Sequence, residues 1–381
     1  MRHYYYAIVA LAACSTTDPL SIRVVGNQFV NGSGDTIRLL GVNREGPNYM
    51  CTGGIAPGAD SRPAEVFDGP SDDASIAAMR AWRINAVRLP LHEACWLGIN
   101  AVDPIAGGEA YRSAIKDYVD RLHAQGLYAI IELYTNAPGA NVALTQQNGP
   151  DADHAAEFWT SVATEFRDDP AVVFDLFNEP IFNQDNDDGR YEPQATAPWN
   201  CWRDGGCNAL FYDTGSGLTP MTWPMTGMQQ LVDAVRATGA TQPVLLGGIS
   251  WALDMSEWLD HLPTDPANQI AASIHLYDFS GGGFSDSWTF DDWQRDPATI
   301  SQSYPVVTGE LGIGGDDYPF IDRYMAWADG YGISYLMYTW VKWHEAGVEI
   351  DTGITVISDY AGTPSPMGRG FHDHMQQVGY P

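Results

Sequence analysis

Two glutamates stand where apolar runs stop. Val172-Val173-Phe174 leads into Asp175-Leu176-Phe177-Asn178-Glu179-Pro180, and Val306-Val307 leads into Thr308-Gly309-Glu310-Leu311-Gly312. A β-favouring run short enough for a buried strand that ends in an acid delivers that acid to a sheet edge. Pro180, which cannot donate to a ladder, marks the stop. Other strand-like runs end in the same way, as Val87-Arg88-Leu89-Pro90, Ile274-His275-Leu276-Tyr277 and Tyr338-Thr339-Trp340. Two carboxyls held together in opposite protonation states can divide a reaction between a proton donor and a nucleophile, with a cation, an imidazole and a phenol nearby to tune them. Taken singly, each polar end also fits a capped strand, an Arg paired with an acid, or a core His satisfied by a carbonyl.

Phe177-Asn178-Glu179-Pro180 closing a strand resembles the acid/base motif of the retaining glycoside hydrolases of family 5, the cellulase-type clan. The joint order Arg88, Asn178-Glu179, His275-x-Tyr277, Glu310, Trp340 is similar to that family's pattern across the whole chain. The resemblance implies Glu179 as acid/base and Glu310 as nucleophile, about 5 to 5.5 Å apart. At that distance and an effective dielectric near 20, a charge on Glu310 disfavours one on Glu179 by about 3 kcal/mol, so Glu179 is expected to keep its proton. It further implies Arg88 and Tyr277 against the nucleophile, keeping its pKa low, Asn178 on the sugar 2-OH, His275 supporting the acid/base, and Trp340 as a platform under the reacting sugar. Strict strand alternation points Asn178 and Glu179 to opposite faces, so the strand must lose regularity there. One position departs from the family. Tyr134 follows Leu133 where the family usually has His, and a phenol cannot carry the charge of an imidazolium; His92 is a candidate for partial replacement.

These groups need a scaffold that gathers strand ends, and the chain alternates strand-like and helix-like segments along its length. The strands expected are Ile37 to Asn43, Ala86 to Leu89, Tyr128 to Tyr134, Val172 to Asn178, Val244 to Gly247, Ala271 to His275, Val306 to Gly309 and Ile333 to Thr339. Tyr111, Ile115, Tyr118, Val119 and Leu122 form one helical stripe, and Phe371, Met375 and Val378 another. Eight β/α pairs make an α/β protein, a (β/α)8 TIM barrel with its site on the C-terminal face. An N-terminal β-hairpin from Ile22 would plug the barrel floor, and long loops would crown the catalytic face. The connection from Ile181 to Pro224 carries Trp199, Trp202 and Trp223. These, with Trp96, Trp288 and Trp293, are candidate sugar-stacking walls, packing beneath the loops being the alternative for each.

The remaining features bound the setting. With 48 acidic and 19 basic residues the formal charge is −29, which argues against nucleic acid, a bare anionic membrane or a polyanionic substrate. No linker, charge block or repeat divides residues 21–381, so a single catalytic domain is expected after an export signal (1–13) and a short tether (14–20). Leu11-Ala12-Ala13-Cys14 resembles a bacterial lipobox with Cys14 lipidated, and an ordinary cleavage after Ala12 is the alternative. Either reading exports the protein from a bacterial cell, free or anchored at the outer surface by lipid, and makes disulfides plausible. Local pairing of Cys51 with Cys95 and of Cys201 with Cys207 is the economical choice. No CxxC zinc spacing, phosphate-cradling glycine motif or EF-hand occurs. The run Asp185-Asn186-Asp187-Asp188 reads as a solvated loop, and His372 and His374 as surface residues, so no metal or cofactor is expected. The function expected is a monomeric, retaining endo-β-1,4-glucanase acting on a neutral polysaccharide. A mannan-acting or exo-acting member of the family and a non-catalytic glycan-binding surface lipoprotein are the alternatives.

Overall fold

Eight parallel strands close into a barrel in the computed structural model: β1 (Leu40–Asn43), β2 (Ala86–His92), β3 (Tyr128–Thr135), β4 (Val172–Asp175), β5 (Val244–Gly247), β6 (Ile270–Asp278), β7 (Val306–Ile313) and β8 (Ser334–Met337). Described are residues 20–54, 63–181, 198–213, 218–278, 290–313, 318–345, 348–349 and 354–380, without the side chains of 210–220, 290–293, 318 and 344–349. The export signal, Cys14, Trp288, the Trp293 side chain and the acidic run at 185–188 lie outside them. Each expected strand is a barrel strand, so the TIM-barrel reading holds.

Inside the barrel the side chains are sorted by height. Ala86, Tyr128, Ile130, Val173, Leu245, Ala271, Val307 and Leu336 form an apolar floor, and the next inward positions, two residues further along three of these strands, are Arg88, Glu132 and Asp175. The intervening residues, such as Val87, Leu89, Ile131, Leu133 and Phe174, point outward into the larger core between strands and helices. The floor is closed from below by a three-stranded antiparallel sheet (Ile22–Val25, Gln28–Asn31, Thr36–Ile37), one strand more than the hairpin expected. Its Ile22, Val24, Phe29 and Ile37 join the barrel's apolar floor. The barrel is thus filled below by apolar side chains.

In the helix Glu109–Ala124 the stripe Tyr111, Ile115, Tyr118, Val119 and Leu122 is buried against the barrel. Burying each such side chain contributes about 1.5–3 kcal/mol. The last helix, Pro366–Val378, is capped by Ser365, whose hydroxyl accepts the Gly368 N–H at 3.0 Å, and begins with a proline whose missing donor costs nothing there. Phe371 and Met375 are buried, whereas Val378, in the final turn, is exposed.

Candidate active site

At the C-terminal rim the barrel interior turns from apolar to charged. Arg88 has no exposed surface, and its guanidinium meets Glu310 Oε1 through Nη1 at 3.0 Å, Asp175 Oδ2 through Nε at 2.9 Å and Glu132 Oε1 through Nη2 at 2.8 Å. It also donates to Asn43 Oδ1 and Asn178 Oδ1. Burial opposes its charge, but the three acids outweigh burial and hold it protonated. Burial pushes the Glu132 carboxyl well up and Asp175 up to about 6, while the Arg88 charge pulls both back.

Glu310 is gripped from two sides. Oε1 accepts from Arg88, and Oε2 accepts the Tyr277 hydroxyl at 2.5 Å. The two glycines beside it make that possible. A Cβ on Gly309 would stand 2.9 Å from His275 Nε2, and one on Gly312 would lie 2.6 Å from the Tyr277 ring. Burial raises the Glu310 pKa while Arg88 and Tyr277 pull it back, so the low value expected from those two donors does not follow. What survives is the contrast with Glu179, whose pKa is driven well up by burial and then by the charge on Glu310.

The partner of Glu179 is His275, with Nδ1 at 2.9 Å from Glu179 Oε1. The other ring nitrogen, Nε2, lies 3.2 Å from Arg88 Nη2. Arginine can only donate, so Nε2 accepts and Nδ1 carries the hydrogen that Glu179 receives. Burial and the Arg88 charge lower the His275 pKa well below its ordinary value and keep the ring neutral. One carboxylate oxygen each of Glu179 and Glu310 and a His275 nitrogen all lie within 4.8 Å of one another, so the two carboxyls share one site.

The irregularity expected before Glu179 is present. β4 ends at Asp175, and Asn178 and Glu179 sit on the non-strand stretch that follows. A loop after β3 props it up: Gln146 Oε1 accepts from Asn178 Nδ2 at 2.5 Å, Gln146 Nε2 donates to the Glu179 carbonyl at 2.6 Å, and the Asn148 carbonyl accepts the Ile181 N–H at 2.7 Å.

Over residues 56–344 the sequence matches the model of the family described as Cellulase (glycosyl hydrolase family 5). The chain belongs to that family. Endo-beta-1,4-glucanase A of Emericella nidulans is 23% identical over 287 residues, covering 73% of this chain and 72% of that protein. Endoglucanase 1 of Saitozyma flava is 30% identical over 244 residues, 56% of this chain and 60% of that one. Among solved structures, the β-glucanase SdGluc5_26A from Saccharophagus degradans, in complex with cellotetraose, superposes with a TM-score of 0.64 at 19% identity and 94% coverage of both chains, a likeness of fold.

Three expected positions in this family 5 hydrolase need comment. Trp340 has no exposed surface and its ring lies edge-on to Trp82 with centroids 4.9 Å apart, in the core between barrel and helices. β8 stops at Met337, and the chain leaving it turns the indole away from the mouth. The ring that faces the site is Tyr338, 6.0 Å from Tyr277 and in electrostatic reach of Glu310. His92 joins neither glutamate. The pairing of β2 with β3 shifts register between Leu91 and His92, and the imidazole lies beside the Cys51–Cys95 bridge with Nε2 at 2.9 Å from the Ala143 carbonyl. Burial lowers its pKa to about 4, so it supplies no positive charge in place of the usual His. Tyr134 does face the site, its phenol held protonated by burial and by the charges of Glu45, Glu310 and Glu179.

Both expected disulfides are formed. Trp96, Trp199, Trp202 and Trp223 are buried, packing under the loops rather than walling a groove. His374 sits between Asp329 and Tyr335 and His372 beside Asp373, away from the site. Glu132, Asp175, Gln146 and Tyr338 were missed as site residues. A signal existed for two of them: Glu132 interrupts Ile130-Ile131 and Leu133, and Asp175 follows Val172-Val173-Phe174, acids within or at the end of apolar strands two residues above an inward apolar side chain.

Proposed function

We propose that this hydrolase is a retaining endo-β-1,4-glucanase that cleaves neutral β-glucans, with Glu179 as acid/base and Glu310 as nucleophile. The observation that carries the reading is the asymmetry of partners: Glu310 has a cation and a phenol donor, while Glu179 has a neutral imidazole N–H on one oxygen and nothing that favours its charge as strongly. Protonated Glu179 gives its hydrogen to the glycosidic oxygen as the bond breaks, and Glu310 attacks the sugar carbon from the opposite face to form a glycosyl ester. Glu179, now anionic, takes a proton from water, which attacks the same carbon and releases Glu310. Arg88 and Tyr277 hold the nucleophile in place, Asn178 contacts the 2-OH, and His275 orients Glu179.

Relatives named endo-β-1,4-glucanase and endoglucanase support β-1,4-glucan as substrate, and the net charge of −29 disfavours uronate polymers. The two disulfides support export to an oxidising compartment, and Cys14 is proposed as the lipid anchor of a monomeric protein. Product sizes followed over time on barley β-glucan, carboxymethylcellulose, glucomannan and galactomannan test the substrate. Early mixed oligomers from the glucans are expected; monosaccharide alone from the outset, or mannan as the only good substrate, would overturn the reading.

A further inference from the structure

Glu45 lies two residues beyond the end of β1, just past Asn43, which binds Arg88. It is 1% exposed, and nothing in the mechanism above uses it. Its Oε2 accepts the Asn48 amide at 2.7 Å, while Asn48 Oδ1 accepts the Gly46 N–H and the Asn48 carbonyl accepts the Thr135 hydroxyl, so the carboxyl is fixed from behind. Its Oε1 has no hydrogen-bond partner among the described residues. A buried carboxyl oxygen with no partner bears its full desolvation penalty until something polar reaches it. Glu45 interacts electrostatically with Glu310, and the Tyr134 and Tyr338 phenols both feel its charge.

We propose that Glu45 is a sugar-binding residue of this site, its free Oε1 meeting a hydroxyl of the glucose unit that lies over Glu310. The inference rests on the function proposed above. Burial and the neighbouring Glu310 raise the Glu45 pKa to about 8, so below that pH the carboxyl is neutral and donates its O–H to the sugar. Above it, a second anion would stand beside Glu310. The opposing cations are Arg88, shared among its acids, and Arg44, whose guanidinium is engaged with the carbonyls of Glu45, Asp68 and Pro70. Tyr49 and Glu132 also face Glu45; the first donates to Asp68 and the second is itself an acid, so neither offsets the new charge. With Tyr134 in place of the usual histidine, recognition at this wall falls to a phenol and a neutral carboxyl rather than to an imidazole.

The test is cellotetraose binding by calorimetry between pH 6 and 9. It uses Glu179→Gln, which spares the sugar and removes the titration of Glu179, compared with Glu179→Gln/Glu45→Gln. The single variant is expected to lose at least fivefold in affinity as pH passes about 8; the double variant is expected to bind at least fivefold more weakly at pH 6 and to show no such loss. Equal affinities at pH 6, or the same alkaline loss in both, would overturn the assignment while leaving the glucanase reading intact. No cellotetraose binding by either variant, with no glucan turnover by the wild type, would overturn both.

Discussion

Glu179 and Glu310 are the same residue type within 4.8 Å, and what separates them is what each is bonded to. Replacing Glu179 by Gln should cost about 10²- to 10⁴-fold in turnover of β-glucan, because the leaving sugar oxygen needs a proton. The loss should be much smaller on a dinitrophenyl cellobioside, whose leaving group needs none; an equal loss on both would remove Glu179 from the acid role. Glu310→Gly should be inactive and regain turnover with azide attacking from the vacated face. Tyr277→Phe deletes a donor that pulls the Glu310 pKa down, so Glu310 should protonate at a higher pH. The acid limb of kcat/KM should move upward with it, and an unmoved limb would show that the 2.5 Å contact does not tune the nucleophile. The site was legible at this scale wherever a polar residue ended an apolar run, as with Arg88, Glu179, His275 and Glu310. It was illegible where identity depended on which way a side chain turned after its strand ended. Trp340 and Tyr338 are two residues apart in an aromatic-rich segment, and only the exit from β8 decides that the tyrosine faces in.

The barrel strands were readable because burial on both faces requires apolar runs, whereas their ends were not. β2 runs on to His92 and β7 to Ile313, past the limits that composition suggested, while β4 stops early, at Asp175. The loop after β3 was invisible as a functional element, since nothing in Thr145-Gln146-Gln147-Asn148 announces that Gln146 bonds both Asn178 and the Glu179 carbonyl. Gln146→Ala should therefore lower kcat by about tenfold to a hundredfold through misplacement of the acid, with a small change in thermal midpoint. Unchanged kcat would mean the stretch before Glu179 holds its shape alone. The Cys51–Cys95 bridge closes a 44-residue separation between the loop after β1 and the short helix after β2. Chain entropy puts its contribution at up to about 4 kcal/mol, so Cys51→Ala/Cys95→Ala should melt several degrees lower. An unchanged midpoint would make the bridge dispensable.

For the whole molecule, the acids gathered at the barrel mouth set the response to pH. Glu45 and Asp175 titrate near 8 and 6 in the folded protein, above their unfolded values, so folded molecules hold protons that unfolded ones have released. Unfolding free energy should therefore fall as pH rises from about 6.5 to 8; below that range the buried imidazoles of His92 and His275, whose pKa values burial lowers, oppose the trend. Asp329 works the other way. Burial raises its pKa, but bonds from His374 and Arg38 outweigh burial and bring it to about 2, so its contribution is lost only in stronger acid. Thermal midpoints should thus be higher near pH 6.5 than at pH 8, and the reverse order would show that these acids are ionised at no cost. The central claim, that Glu310 forms a covalent glycosyl intermediate with Glu179 as its acid/base, is tested most directly by proton NMR in the first minutes of cello-oligosaccharide hydrolysis. Two successive inversions at the sugar carbon should give the β-anomer first, with the α-anomer appearing only as mutarotation proceeds. An initial α-anomer signal would contradict the account.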